Sequence, residues 1–230
     1  MLFRQLFDRT SCTYTYLLAC ERTSQAVLID PVVACVDRDE RLLSELGLTL
    51  RWVLETHVHA DHVTGSSALR ERLGGESVVA ANAGVVGASR SVRTGDRIVF
   101  GDHHLEARET PGHTSGCVSY VLDDRSAVFT GDTLFVRGCG RTDFQGGSAE
   151  TLYRSVHEQL FSLPDTTSVY PGHDYNGQTV STIGEERAHN PRLGGGKDEA
   201  AFVAIMASLN LSPPANIDVA LPANLRGGAS

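Results

Sequence analysis

The sequence contains no apolar run that approaches the roughly 18–20 residues of a membrane-spanning helix. It also lacks a basic excess, because 28 Asp and Glu residues outnumber 20 Lys and Arg residues and give a formal net charge of −8. Nucleic-acid-binding proteins usually present a basic face, so this charge argues against nucleic acid as a partner. We therefore expect neither a membrane nor a nucleic acid to be bound.

The N-terminus shows no targeting pattern. It begins MLFRQLFD, in which the apolar run is too short and is interrupted by charge too early for a secretory signal peptide. Apolar and polar residues alternate in this stretch as in a first strand. We expect a cytoplasmic bacterial protein, or a mitochondrial matrix protein if the chain is a processed eukaryotic one.

Cysteine is scarce and follows no metal-binding or redox pattern. The five cysteines are odd in number, and no C-x-x-C occurs. A disulfide framework is therefore not expected, and a reducing compartment is favoured. Each cysteine, Cys139 included, is predicted to be a small buried apolar residue rather than a nucleophile or a ligand.

The remaining pattern alternates short strand-like runs with helical stretches. The runs at 13–20 and 25–29 are apolar or β-branched and are separated by a polar turn. A helix is predicted over 149–161, with Ser148 as its N-cap. We predict one α/β domain over residues 1–230, with mixed sheets and flanking helices. A short C-terminal extension covers about 176–230, and its last residues, from Pro213 onward, are predicted to be irregular.

Metal-capable side chains follow the ends of four predicted strands. The first group is the string H-x-H-x-D-H, which comprises His57, His59, Asp61 and His62. Three further residues of this kind follow later strands: His113, Asp132 and His173. Because clusters of ligands, rather than single histidines, define metal sites, we predict that these loops bind metal.

The residue types leave two kinds of metal centre open. Histidine and carboxylate ligands without cysteine suit zinc, iron or manganese. All seven residues together could form a two-metal site bridged by Asp132, which would make hydroxide from bound water. Alternatively, two histidines and one carboxylate could hold a single iron with open positions for dioxygen and substrate. Spacing alone does not choose between them.

The metal motifs resemble those of the metallo-β-lactamase superfamily, over about residues 13–175. The resemblance implies a four-layer αββα sandwich with the metal between the sheet edges. Six segments are more specifically similar to persulfide dioxygenases: TGDTLFVRGCGRTDFQGG at 130–147, TLY at 151–153, VHE at 156–158, YPGHDY at 170–175, NPRL at 190–193 and PANLR at 222–226. That family oxidises glutathione persulfide with O2 and water to sulfite and glutathione.

The resemblance also implies roles for individual residues. One Fe(II) per subunit would be held by His57, His113 and Asp132. The other residues of the metal motifs would orient these ligands: His59, Asp61, His62 and His173. Glutathione would be bound by Arg141, Tyr175 and Arg226, and a structural pair with Asp143 is the alternative for Arg141. Three residues would support the site: Thr130, Asp143 and Asp174.

The resemblance carries expectations about partners and an alternative. No rhodanese domain fits beside the predicted one, so a sulfurtransferase partner would be a separate protein. Homodimers are common among the proteins that the chain resembles. Because all seven metal residues are present, a glyoxalase II-like thioesterase that hydrolyses acylglutathione on two metals stays open, although the tail after His173 is short for that family. The acidic charge and the complete ligand set argue against a non-catalytic or nucleic-acid-processing member.

Overall fold

The strand-like runs form two six-stranded mixed sheets in a computed structural model that describes residues 1–212 and 216–228. The first sheet contains, in spatial order, β1 (Leu2–Asp8), β2 (Thr13–Ala19), β3 (Gln25–Ile29), β4 (Thr49–Leu54), β5 (Glu76–Ala80) and β6 (Arg90–Val92). The second contains β7 (Arg97–Phe100), β8 (His103–Glu109), β9 (Val118–Leu122), β10 (Ala127–Gly131), β11 (Ser168–Pro171) and β12 (Ser181–Thr182), again in spatial order.

Six helices accompany the sheets over the residues described: α1 (Val36–Glu45), α2 (Ser66–Leu73), α3 (Ala149–Ser155), α4 (Ile183–His189), α5 (Glu199–Ala207) and α6 (Ile217–Asn224). A 3-10 turn precedes α1, and a π-helical segment, Val156–Leu160, continues α3. The predicted N-cap is confirmed, because Ser148 Oγ accepts a hydrogen bond from the Thr151 amide at 3.1 Å. No helix in the described part of the chain is long and apolar enough to cross a membrane.

The packing of β2 shows how the layers arise. All its residues are buried, and alternate side chains enter different cores. Tyr16 and Leu18 pack between the two sheets, against Phe129 and its neighbours on the second sheet. Leu17 and Ala19 pack on the other face, where α1 and α2 cover the sheet. A third core lies between the second sheet and the helices α3 and α5. The predicted αββα sandwich of four layers is confirmed.

The predicted metal residues lie at one edge of the sandwich because their strands end there. The loop after β4 reaches the second sheet, where the Val118 amide donates to the Thr56 carbonyl at 2.8 Å. The adjacent parallel strands β10 and β11 end side by side, and the Gly172 amide donates to the Gly131 carbonyl at 2.8 Å. A Cβ at Gly131 would lie 2.4 Å from Thr56 Oγ1, so glycine permits this close approach.

The prediction of an irregular C-terminus is wrong for residues 217–224, which form α6. Pro213 itself lies outside the described residues. Pro222 removes a main-chain donor and usually opposes a helix interior, which is why the pattern indicated none. The helix is stabilised instead by tertiary contacts, because Ala220 and Asn224 are buried against the rest of the protein.

Candidate metal centre

The four loops bring the seven predicted residues together as two adjoining groups of ligand atoms. In each group the ligand atoms lie within 4.8 Å of one another. The first group, called the primary group below, contains His57, His113 and Asp132. The second, called the outer group, contains His59, Asp61, His62 and His173. A hydrogen bond of 2.7 Å from His173 Nδ1 to Asp132 Oδ1 joins the two groups.

His57 is held in one tautomer by a buried chain of hydrogen bonds. The single hydroxyl proton of Thr56 goes to Asp30 Oδ2 at 2.7 Å, so Thr56 Oγ1 is left as an acceptor for His57 Nδ1 at 3.0 Å. The proton of the imidazole therefore lies on Nδ1, and Nε2 keeps its lone pair. Burial and the neighbouring His59 hold the pKa of His57 well below its usual value, so the ring is neutral, as a ligand must be.

His113 and Asp132 complete the primary group. His113 Nδ1 donates to the carbonyl of Arg141 at 2.7 Å, so in the neutral ring the lone pair lies on Nε2, 3.5 Å from Asp132 Oδ2. Burial opposes ionisation of Asp132, but the adjacent His173 outweighs it and holds the pKa of that carboxyl below its usual range. The group thus offers two imidazole lone pairs and one carboxylate, a donor set that fits iron, zinc or manganese.

Hydrogen bonds join three residues of the outer group to one another and to Asp132. His173 faces a carboxylate with each ring nitrogen, since Nε2 donates to Asp61 Oδ2 at 2.9 Å and Nδ1 donates to Asp132. Burial disfavours its charged form, but both carboxylates raise the pKa of His173 well above its usual value. His62 Nδ1 also lies 2.9 Å from Asp61 Oδ2. In this arrangement His173 carries two protons and has no lone pair for a metal.

A buried acid cluster lies beneath the metal loop and was not anticipated. It contains Asp30, Glu55 and His59. Burial, followed by the charge of Asp30, raises the pKa of Glu55 to about 8. Burial opposes charge on His59 as well, but Asp30 outweighs it and raises its pKa to about 9. The cluster therefore holds protons that exposed side chains of these types would release at lower pH.

The chain has relatives that match it over almost its whole length. Residues 12–173 match the family model described as the metallo-beta-lactamase superfamily. The chain is 53% identical to "Persulfide dioxygenase ETHE1, mitochondrial" of Homo sapiens over 99% of its own length and 89% of that protein. It superposes on the crystal structure of ETHE1 from Myxococcus xanthus with a TM-score of 0.96, full coverage of both chains and 54% identity.

The chain belongs to the persulfide dioxygenase family. A hydroxyacylglutathione hydrolase of Brucella anthropi is more distant, at 37% identity over 89% of this chain and 81% of that protein. The persulfide dioxygenase match is therefore both closer in sequence and more complete, as the segments after Asp132 predicted.

This persulfide dioxygenase has a cavity of about 580 Å³ beside the primary group. Three arginines line it: Arg137, Arg141 and Arg192. Arg137 is paired with Glu185 and Glu186. Arg192 has no ion-pair partner among the described residues and donates through Nη1 to the Cys139 carbonyl at 3.0 Å. The cavity therefore combines a metal centre with one guanidinium whose remaining donors are uncommitted.

Two of the three residues predicted to bind glutathione line the cavity, and the third does not. Arg141 lines the cavity, but the structural pair that was its alternative is present, with two bonds of 2.6 and 2.7 Å to Asp143. Tyr175 also lines it, with its ring stacked on His173 and 68% of its surface exposed. Arg226 is not among the residues that line the cavity. Arg192 lies in the NPRL segment, whose sequence indicates no role for it.

Two of the three predicted supporting residues, Thr130 and Asp174, bind backbone near the site, and Asp143 binds the side chain of Arg141. Thr130 Oγ1 donates to the Leu134 carbonyl at 2.7 Å and so shapes the turn that carries Asp132. Asp174 Oδ2 accepts from the amides of Asn176 and Gln178 at 2.8 and 2.7 Å. Asp143 pairs with Arg141, whose carbonyl in turn accepts from His113.

The interpretation of Cys139 as a packing residue is confirmed. Its side chain is 3% exposed and belongs to the core between the second sheet and its helices. Burial raises the pKa of the thiol to about 11. Cys139 is therefore a thiol rather than a nucleophilic thiolate at neutral pH.

Proposed function

We propose that the primary group holds one Fe(II) and that the enzyme oxidises glutathione persulfide with O2 and water to glutathione and sulfite. Membership of the persulfide dioxygenase family makes the protein an oxidoreductase that acts on persulfides. The protonation states of the primary and outer groups are the observation that supports a single Fe(II). His57, His113 and Asp132 converge with lone pairs available, whereas His173 donates both protons to carboxylates.

Iron bound at the primary group would supply the redox chemistry with dioxygen and leave positions open beside its three ligands. The protein's part is to fix the ligands and their protonation. Thr56 and the Arg141 carbonyl hold the two imidazoles with Nε2 toward the centre. Asp132 stays ionised because His173 donates to its second oxygen.

The cavity beside the centre supplies the contacts for the tripeptide. Glutathione carries two carboxylates, which arginine recognises through paired N–H donors. We assign one carboxylate to Arg192, because only its Nη1 has a partner among the described residues. Arg141 supports the wall through Asp143 and the carbonyls of Leu211 and Ser212, and it offers its positive charge to the cavity. Tyr175, which lines the cavity, is proposed to bind the tripeptide, and Arg226 stays a weaker proposal.

Several features of the biological setting remain proposals. We propose that residues 1–230 act as one domain, with a separate sulfurtransferase as the source of persulfide. A homodimer is the proposed assembly. The proposed compartment is a bacterial cytoplasm, or the mitochondrial matrix for a processed eukaryotic chain.

One alternative function has a specific observation in its favour. All seven residues of a two-metal hydrolase are present, and the Brucella anthropi hydrolase is a relative at 37% identity. A thioesterase that hydrolyses acylglutathione would need His173 to lose a proton and turn a lone pair to a second metal. Steady hydrolysis of lactoylglutathione by protein containing two metals would support this reading.

Oxygen uptake tests the proposed function. Protein loaded with Fe(II) without air should consume O2 only when glutathione persulfide is added, with one sulfite formed for each O2. The His113→Ala variant should lose both iron and uptake, whereas an His104→Ala variant, altered on β8, should keep both. An iron-loaded protein that consumes no oxygen with this substrate would refute the proposal.

A further inference from the structure

The last helix, α6, reaches back to the metal loop at both of its ends. Asn216 precedes the helix and Asn224 is its final residue. Asn224 Nδ2 donates to the carbonyls of His59 and His62 at 2.9 and 2.8 Å. Asn216 Nδ2 donates to the carbonyl of Asp61 at 2.7 Å. Residues from the far end of the chain thus bind the main chain of the H-x-H-x-D-H string.

The orientation of the Asn224 carboxamide is fixed by its partners. Its Oδ1 accepts from the amide of Thr64 at 2.9 Å, while Nδ2 meets two carbonyl oxygens. A flipped amide would place Oδ1 against both carbonyls and Nδ2 against the Thr64 amide, which is electrostatically unfavourable at every contact. The side chain is only 4% exposed, so water does not replace these bonds readily.

The metal loop depends on these contacts because it contains no helix or strand from residue 57 to residue 63. Among the described residues, the carbonyls of His59, Asp61 and His62 have no hydrogen-bond donor other than the two asparagines. Buried main-chain groups without partners are costly, so loss of the asparagines would let this segment rearrange. Three of the four residues of the outer group lie in this segment, 57–63.

We propose that Asn224 and Asn216 are positioning residues of the metal centre and that α6 completes it through bonds to the main chain of the metal loop. The inference rests on the proposed metal site but does not depend on which metal is bound or which substrate is used. Asn224 fixes the backbone on both sides of Asp61, and Asn216 fixes Asp61 itself. Asp61 bonds to His173, which bonds to Asp132, so the constraint reaches a primary ligand through two hydrogen bonds.

Cobalt(II) binding tests this inference separately from the dioxygenase activity. Cobalt(II) accepts nitrogen and oxygen ligands, and its visible absorption reports the number and geometry of those ligands. The Asn224→Asp variant keeps the size of the side chain but replaces two donors with a carboxylate oxygen. We expect its cobalt dissociation constant to rise by about 10-fold or more, as for other residues that orient metal ligands, with an altered spectrum.

Two further variants keep the test decisive. Asn216 is exposed, so Asn216→Ala should fold and should show a smaller change in the same direction. Thr167→Val is the matched control, because it removes a buried hydroxyl that donates to the Arg125 carbonyl at 2.8 Å, away from the metal loop. It should lower stability yet leave cobalt affinity and spectrum unchanged.

Hydrogen exchange on the metal-free protein gives an independent readout. The Thr64 amide should exchange about fivefold faster or more in Asn224→Ala, since it loses an acceptor worth about 1 kcal/mol. Wild-type affinity and spectrum in folded Asn224→Asp and Asn216→Ala would overturn the inference. If Asn224→Asp does not fold, unchanged cobalt binding by Asn216→Ala is by itself sufficient to overturn the inference. Absence of oxygen uptake by the wild type would refute the proposed function and leave this result standing.

Discussion

Replacing Thr56 by valine is expected to weaken the metal centre without touching a ligand. Thr56 is 1% exposed and lies between Asp30 and His57, at 2.7 and 3.0 Å. Valine has nearly the same shape, so the loss of the hydroxyl is the main change. The proton on His57 Nδ1 then has no acceptor, and the tautomer with its lone pair on Nε2 is no longer favoured.

The size of the effect of Thr56→Val follows from the loss of the hydrogen bonds that the Thr56 hydroxyl makes with Asp30 and His57. A hydrogen bond to a charged group contributes about 1.5–3 kcal/mol, so the unfolding free energy of the metal-free variant should fall by about that amount. Loss of a partner that orients a metal ligand typically costs about 10–100-fold in metal affinity. Thr56→Ser is the matched control, because it keeps the hydroxyl and should keep most of both quantities.

Urea unfolding of the metal-free proteins measures the first quantity, and competition with a chelator of known iron affinity measures the second. The reasoning predicts that Thr56→Val loses affinity for iron by more than Thr56→Ser does. Wild-type iron affinity in Thr56→Val, at whatever stability, would refute the argument that this hydroxyl sets the state of His57.

Three further predictions concern the buried acid cluster, the buried thiol and the cavity. Because the pKa of Glu55 is raised to about 8, the folded protein keeps a proton that the unfolded chain releases near its ordinary value of 4.5. The contribution of Glu55 to the unfolding free energy of the metal-free protein should therefore fall as pH rises from 4.5 to 8, and urea titrations should show the wild type losing stability relative to Glu55→Gln over this range. Cys139→Ala should keep its kcat in oxygen-uptake assays and lose about 1 kcal/mol of stability, since the thiol is a packing group; loss of kcat would implicate it in chemistry. Arg192→Gln should raise KM for glutathione persulfide by about 10–100-fold with little change in kcat, and much less for a persulfide that lacks the carboxylates; equal effects on both substrates would remove Arg192 from the binding site.

The sequence was sufficient to predict the strands and the convergence of the metal-capable residues, because both have short-range signals. The residues that form β2 are alternately buried in two cores, and such a run is recognisable as a strand. His57, His113 and Asp132 each follow a strand directly, so their convergence at one edge could be predicted. The segment TGDTLFVRGCGRTDFQGG at 130–147 added the specific resemblance.

The remaining features depend on contacts between distant parts of the chain. Asn224 bonds to residues more than 160 positions away, and no local pattern indicates such a role. Irregular structure was predicted where α6 forms, and the helix is stabilised by burial of Ala220 and Asn224 against the rest of the protein. The pairing of Arg141 with Asp143 was predicted only as the alternative to glutathione binding. The Arg192 donors that have no partner among the described residues could be identified only once the cavity was assembled.

The central claim is a single iron held by the primary group, and anomalous diffraction tests it most directly. Crystals of the iron-loaded protein, measured on both sides of the iron absorption edge, should show one anomalous peak per subunit between His57 Nε2, His113 Nε2 and the Asp132 carboxylate. His173 should remain hydrogen-bonded to Asp61 and Asp132. A second peak of similar height between Asp61, His62 and His173 would contradict the account and favour the two-metal hydrolase.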